Sequence, residues 1–236
     1  MVVAVLGLGR LGSTLAILLP QAGIPVQLWR RGEPFPAADV YWICVRDTAI
    51  AEVAAAIPLG AGVVLHASGA LGPGVLAAHP DHGVLHPLMT FPGPETGIPD
   101  LRGVGAAVAG PAAPVAEALA HALGMIPFPA PSDTRRYHAA ATLASGHLAA
   151  AFLDAVEVLG AAGVAHPAER LLPLALESLR RVAASGGTAL TGPAARGDWA
   201  TIAAHEAVLQ GEIRELYRLL THRVLLRTGP PSDPPE

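Results

Sequence analysis

The chain opens on a short run rich in β-branched residues, Met1-Val-Val-Ala-Val-Leu6, and passes at once into Gly7-Leu8-Gly9-Arg10-Leu11-Gly12. A helix-like stretch from Ser13 to Ala22 follows, Gly23 and Pro25 stop it, and Ile24 to Trp29 reads as a second strand. A run like the first is a buried parallel strand. The glycine spacing has a mechanical reason: the first makes the tight turn out of the strand, the second lets a pyrophosphate approach the backbone, and the third lets helix and strand pack closely. The phosphates then lie among the free N–H groups of a helix N-terminus. A glycine triplet alone is a weak signal in a chain with 26 glycines; between a strand and a helix it points to dinucleotide binding. The opposing reading is a purely structural turn.

Dinucleotide sites that take NAD place an acidic residue at the end of the second strand. Here the sequence reads Trp29-Arg30-Arg31, and two guanidinium groups suit a 2′-phosphate. NADP is therefore the expected cofactor, held by Gly7, Leu8, Gly9, Arg10, Leu11, Gly12, Arg30 and Arg31, with Val45 and Arg46 after the third strand. The bland alternative is that the arginines are solvated. Only nine residues separate Trp29 from Asp39, and Gly32-Glu33-Pro34-Phe35-Pro36 forms little helix. The helix and strand usual at this point are expected to be missing, which leaves the adenine end open.

Further strands are read at Asp39–Val45, Val63–Ala67, Val104–Val108 and Met125–Phe128, with Val84-Leu85 leading into His86. Helices are read at Thr48–Ile57 and Pro111–Leu123. This alternation predicts an α/β Rossmann domain over residues 1–129: doubly wound, mostly parallel, and shortened after the second strand. Beyond the proline-containing segment at 127–131 the pattern is helical, predicting an all-α domain over 130–236. Ser132 or Asp133 caps a helix to about Ala162, roughly 45 Å long at about 1.5 Å per residue. Pro167 opens the next helix, Gly186-Gly187 breaks the chain, Asp198 caps a long helix through Leu226, and Thr228–Glu236 is proline-rich and expected to fray. Long Ala- and Leu-rich helices suggest a homodimer through this domain.

Composition narrows the partners. The formal net charge is -4, from 15 basic and 19 acidic residues, without the concentrated basic face that nucleic acid requires. Apolar stretches are expected to break before the ~20 residues of a membrane span, and the N-terminus lacks the charge order of a cleaved leader. The single Cys44 excludes a disulfide framework and fits a cytoplasmic location.

Several motifs occur in order: Gly7-Leu-Gly9-Arg10-Leu-Gly12, His66-x-Ser68-Gly69-Ala70, His86-Pro87-Leu88-x-Thr90-Phe91, Tyr137-His138-Ala139-Ala140-Ala141, and Ala189-Leu-Thr191-Gly192-Pro193-Ala-Ala-Arg196-Gly197-Asp198. By these the chain resembles the family of Rossmann-like NADP oxidoreductases with a C-terminal domain of unknown function. In its two-domain plan it is similar to pyrroline-5-carboxylate reductase and 6-phosphogluconate dehydrogenase-type enzymes. The resemblance implies architecture and cofactor class more firmly than reaction.

Hydride transfer needs a proton donor or electrophile near the reacting carbon. His86 is the first candidate and His138 the second, with Ser68 at a strand end touching nicotinamide or substrate; each has a plain structural role as its alternative. Tyr137, Thr142 and Ser145 are candidate substrate contacts, and His138, Thr142 and Ser145 share one helix face. Thr191 and Arg196 are the other constellation, Arg196 suiting a carboxylate, whereas Asp198 reads first as a helix cap. His79, His82 and His86 form a possible zinc set, but Pro80 and Gly83 suggest a loop and no metal is expected. The chain has neither Lys nor Asn, which removes the Lys and Lys–Asn mechanisms of related dehydrogenases. The expectation is an NADP(H)-dependent oxidoreductase of a small carbonyl or imine acid. The competing readings are a non-catalytic NADP sensor or accessory protein and a deazaflavin-linked oxidoreductase; substrate-dependent NADPH oxidation and a cofactor screen separate them.

Overall fold

A computed structural model describes residues 1–228. The expected fraying of the tail concerns, apart from Thr228, residues outside these. The chain divides into two compact units, Met1–Ser145 and Gly146–Glu236.

The first unit is built on a seven-stranded sheet: β1 (Val3–Leu6), β2 (Val26–Trp29), β3 (Val40–Ile43), β4 (Val63–His66), β5 (His82–Pro87), β6 (Gly105–Ala109) and β7 (Ile126–Pro129), in the order β2-β1-β3-β4-β5-β6-β7. The first five run parallel, β6 is antiparallel to β5, and β7 is parallel to β6. Strand order reverses between β1 and β3, the switch point beside which open α/β sheets bind ligands. Among the described residues no further strand lies beyond β2, so the sheet is shortened where the sequence indicated.

β1 and β3 are buried along their whole length, as continuous apolar runs require. One core layer joins Val3, Val5, Trp42, Leu65 and Leu85 to Leu15 and Leu19 of helix α1 (Arg10–Gln21) and to Leu119 of α3 (Ala113–Ala122). The opposite layer joins Leu6, Ile43 and Val64 to Ile50 and Val53 of α2 (Asp47–Ala56). In place of the missing helix and strand, residues 30–39 are pinned by aromatic packing. Phe35 stacks on Trp29 with ring centroids 4.8 Å apart and meets Tyr41 edge-on at 6.5 Å. The Trp29 indole N–H donates to the Glu33 carbonyl at 2.8 Å, and the Tyr41 hydroxyl donates to the Pro36 carbonyl at 2.9 Å.

Helix α4 (Thr134–Thr142) belongs to the first unit and is tied to it by the Thr134 hydroxyl, which donates to the Ala70 carbonyl at 2.9 Å. Asp133 is its cap, accepting from the Arg136 amide at 3.0 Å. The expected uninterrupted α-helix to Ala162 is corrected: α4 gives way to a π-helical segment, Leu143–His147, before α5 (Leu148–Ala161). Asn-free, glycine-containing Leu143-Ala-Ser-Gly-His147 carries no signal of this in its periodicity. The stretch Thr134–Ala161, 28 residues, is by length and composition apolar enough to cross a membrane, which corrects the expectation that no stretch reaches that length; its apolar window is unburied.

The second unit continues with α6 (Pro167–Ser185), α7 (Pro193–Arg196), α8 (Trp199–Val208) and α9 (Gly211–Thr228). The long helix expected from Asp198 to Leu226 is two helices, because Leu209 is extended and Gly211 takes φ 53°. α5 packs on α6, and α7 and α8 pack on α9. Among the described residues of this unit only Ile202 and Leu209 are buried.

Candidate functional site

The parallel registers align Leu6, Trp29, Ile43 and His66 across the sheet. Gly7, Arg30, Cys44 and Ala67 therefore stand in one row just beyond the carboxyl ends of β1 to β4. His66 is level with Val84, which puts Ser68 level with His86 one step further out. The alternation of strand and loop thus delivers the sequence candidates of the first unit to one edge.

At the first loop each glycine has its own reason. Gly7 has φ +104°, and a Cβ on it would meet Val45 Cγ1 at 2.6 Å. A Cβ on Gly12 would stand 1.9 Å from the Gly7 carbonyl oxygen. At Gly9 a Cβ would meet nothing within 4 Å, so that position faces open space. No side chain caps α1, and the first amide to find a partner is that of Ser13, which donates to the Gly9 carbonyl at 2.8 Å. The amides of Arg10, Leu11 and Gly12 thus remain for an anion. Leu8 and Leu11 pack against the core, and Arg10 is exposed at the first helical position. Arg46, also exposed, precedes α2. This loop fits a pyrophosphate.

Arg30 and Arg31 differ. Arg31 pairs with Glu52 of α2 at 3.3 Å, both side chains exposed. Arg30 donates its backbone N–H to the Glu33 carboxylate at 3.1 Å, and among the described residues no carboxylate pairs with its guanidinium. Of the two, Arg30 is therefore the guanidinium that no ion pair holds among the described residues.

The second cluster lies beyond β4 and β5. The Ser68 hydroxyl oxygen accepts from the amides of Ala70 and Leu71 at 3.1 and 3.2 Å, which closes the turn. His66, the first residue of the His66-x-Ser68-Gly69-Ala70 motif, is fully buried. Its Nδ1 accepts the Ser68 N–H at 3.1 Å, and its Nε2 donates to the Gly72 carbonyl at 3.2 Å. Burial holds it below the usual imidazole value, against the Gly72 bond. His86 Nδ1 lies 2.8 Å from the Tyr137 hydroxyl. Burial first, then His138, push His86 down to about 4, with Asp47 acting the other way; Tyr137 is raised by burial. A Cβ on Gly69 would come within 3.0 Å of both the His86 and the His138 imidazoles.

His86, Tyr137 and His138 line a cavity of about 640 Å³ with Leu88, Met89, Thr90, Ala140, Ala141 and Ala144, whereas Ser68 is buried and is not on its wall. Thr142 and Ser145 are on its wall, donating back to the carbonyls of His138 and Ala141 at 2.9 and 2.7 Å. The shared face of His138, Thr142 and Ser145 is therefore a pocket wall. Leu88 and Met89 were missed as lining; the strand running on into His86-Pro87 is the signal that places them.

The zinc set is resolved residue by residue. His82 and Gly83 are in β5 rather than a loop, which corrects the reading of that segment. His79 Nε2 pairs with the Ala54 carbonyl at 2.9 Å and His82 Nδ1 with the His79 carbonyl at 2.6 Å. Among the described residues no three His, Cys, Asp or Glu side chains group as metal ligands. Thr191 and Arg196 belong to the second unit, Arg196 closing α7. Asp198 caps α8, accepting from the Thr201 amide at 3.1 Å and hydroxyl at 2.7 Å, bonds that hold its carboxyl below the ordinary range.

A sequence family described as a domain of unknown function (DUF2520) matches residues 104–224, just over half of the chain. Among solved structures, a Bacteroides fragilis protein named as a candidate NADP oxidoreductase is 24% identical with a TM-score of 0.78, covering 94% of this chain and 96% of its own. Pyrroline carboxylate reductase from Plasmodium falciparum, solved with NADP bound, is 11% identical at a TM-score of 0.64, covering 97% and 98%. A reductive aminase from Aspergillus terreus, solved with NADPH and ethyl levulinate, is 19% identical at 0.63, covering 97% and 94%. No curated protein matches the chain. At these identities the likeness establishes a shared fold.

Proposed function

The chain belongs to the DUF2520 family, and on that premise we propose that it is an NADP(H)-dependent oxidoreductase that reduces the C=O or C=N bond of a small compound. The observation that carries the reading is the glycine loop: residue 12 admits no side chain, residue 9 faces open space, and α1 presents uncapped amides beside the sheet's switch point. Solved structures of the same fold hold NADP or NADPH. Gly7, Leu8, Gly9, Arg10, Leu11 and Gly12 would hold the pyrophosphate, Arg30 with Arg31 the 2′-phosphate, and Val45 and Arg46 the far wall. The cofactor supplies hydride. The pocket of His86, Tyr137, His138, Thr142 and Ser145 binds and orients the acceptor.

The test is calorimetric titration of NADPH, NADH and NADP⁺, followed by substrate-dependent NADPH oxidation over a panel of ketones and imines. Binding weakened by Gly9→Ala supports the reading; a protein that binds none of the three nucleotides overturns it.

The second unit adds a partner. Leu153, Leu172, Leu174, Leu179, Leu219 and Leu226 are all exposed, and an apolar groove of about 460 Å³ runs among Val158, Leu171, Leu209, Leu216 and Leu220. A helical unit in which only two apolar side chains are buried among the described residues needs a further surface to cover it in water. We propose that a second copy of the chain covers these helices. The lone Cys44, its thiol raised by burial, has no disulfide partner, in keeping with the cytoplasm.

A further inference from the structure

His86 and Tyr137 face one another across 2.8 Å, with their rings nearly perpendicular at 85°. One proton lies between Nδ1 and the phenol oxygen, and the two assignments have different consequences. If Nδ1 carried it, Nε2 would be a bare acceptor. If the phenol carries it, a neutral imidazole keeps its own proton on Nε2. A phenol is the more acidic of the two donors and an imidazole nitrogen the more basic of the two acceptors, so O–H···N is the favoured pairing. Among the described residues Nε2 has no hydrogen-bond partner. It borders the space left by the absent side chain of Gly69, and the residue lines the cavity.

We propose that Tyr137 is a positioning residue: it donates its hydroxyl proton to Nδ1 of His86, fixes the Nε2–H form, and resupplies through His86 the proton that the substrate takes. The proposal rests on the oxidoreductase reading above. A bound reduced nicotinamide would supply hydride to the substrate carbon. The π pair of C=O or C=N moves onto the heteroatom, which takes the proton from Nε2. Nδ1 takes the proton of Tyr137; once product leaves, water protonates Nε2 and Nδ1 returns its proton to the phenolate, which restores the starting Nε2–H form. His86 is neutral at both ends of the transfer, and the nitrogen carrying its proton alternates within each turnover. The groups facing it agree with this. Burial and the imidazoles of His138 and His66 disfavour a charged ring, while Asp47 favours one.

The experiment uses full-length protein labelled with ¹⁵N-histidine at pH 7.5, reading the His86 tautomer from long-range ¹H–¹⁵N correlations, with the signal assigned by His86→Gln. Ten histidines give ten ring systems, and the other nine report on the fold. The expected result is Nε2–H in the wild type and a mixture of both tautomers in Tyr137→Phe, with the other nine signals and NADPH binding kept. An Nδ1–H ring in the wild type, or a ring indifferent to Tyr137→Phe, overturns the proposal, because the relay then lacks its first transfer. NADPH titration of the same sample separates the two ideas. A wrong tautomer with NADPH bound overturns the relay alone, and absence of nucleotide binding overturns the reading on which it rests.

Discussion

A Cβ on Gly12 would stand 1.9 Å from the carbonyl oxygen of Gly7, and nothing in a strand–turn–helix junction can give way that far. Gly12→Ala should therefore cost about 3 kcal/mol or more of stability through overpacking. Gly9→Ala has open space and an extended backbone at φ -71°, ψ -168°, and should fold normally. It should nonetheless weaken NADPH binding about tenfold, near 1.4 kcal/mol, by putting a methyl where phosphate approaches. Urea unfolding and calorimetry, run on both variants, should show the two effects apart.

Arg30 and Arg31 should not be equivalent. Arg30→Ala should lower affinity for NADPH by about tenfold or more and leave NADH nearly unchanged, since only the former has the 2′-phosphate. Arg31→Ala should do less, because its partner Glu52 already competes for it, and an exposed pair is worth about 1 kcal/mol or less. Equal losses for both nucleotides in Arg30→Ala would assign that residue to the pyrophosphate instead.

The acid side of the stability profile should carry the signature of His86. Its folded value lies at about 4 against an ordinary 6.5, so the unfolded chain takes up the proton first. Stability is complete above pH 6.5 and falls as the pH drops toward 4, by about 3 kcal/mol at most. Buried His66, lowered in the same sense, adds to the fall. The urea midpoint should be flat from pH 7.5 to 8.5 and drop steadily below 6.5. His86→Gln should flatten part of that slope; a midpoint unchanged down to pH 4.5 would mean that the imidazole is not held neutral.

Leu153 and Leu174, each about two-thirds exposed at 64% and 66%, should lie under the second copy. Light scattering should give twice the chain mass of 24.0 kDa, and the pair Leu153→Arg with Leu174→Glu should halve it or cost helicity. A wild-type monomer that keeps its helical signal at micromolar concentration would remove the dimer from the reading.

Legibility tracked the range of the forces involved. The opening motif was readable because each of its constraints is met within about twenty residues: the strand, the turn at Gly7 and the contact at Gly12 are neighbours in sequence. The gap between Trp29 and Asp39 was also readable, by counting. The aromatic plug that fills it was not, since Trp29, Phe35 and Tyr41 show their stacking only once the loop closes. Arg30 and Arg31 look alike in sequence, and only the arrival of Glu52 from α2 tells them apart. His66 was legible as part of a motif but not as the brace of its turn, because its two bonds reach Ser68 and Gly72 through a geometry that periodicity does not report. The π-helical turn at Leu143–His147 and the break at Leu209 were lost for a related reason: apolar spacing continues through both, while the backbone does not.

The two rims of the sheet are unlike. In β7 the amides of Ile126 and Ala130 point inward, donating to Val104 and Val108 of the neighbouring chain segment. The alternate positions, Pro127 and Pro129, are the ones whose nitrogens face outward, and proline has no hydrogen to offer there. At β2, the other edge, no proline stands in Val26-Gln27-Leu28-Trp29, and Gln27 and Leu28 are exposed. Association by strand addition is thus closed on one side and open on the other. Any growth of this sheet by a foreign strand must begin beside Gln27, a few residues from Arg30 and Arg31.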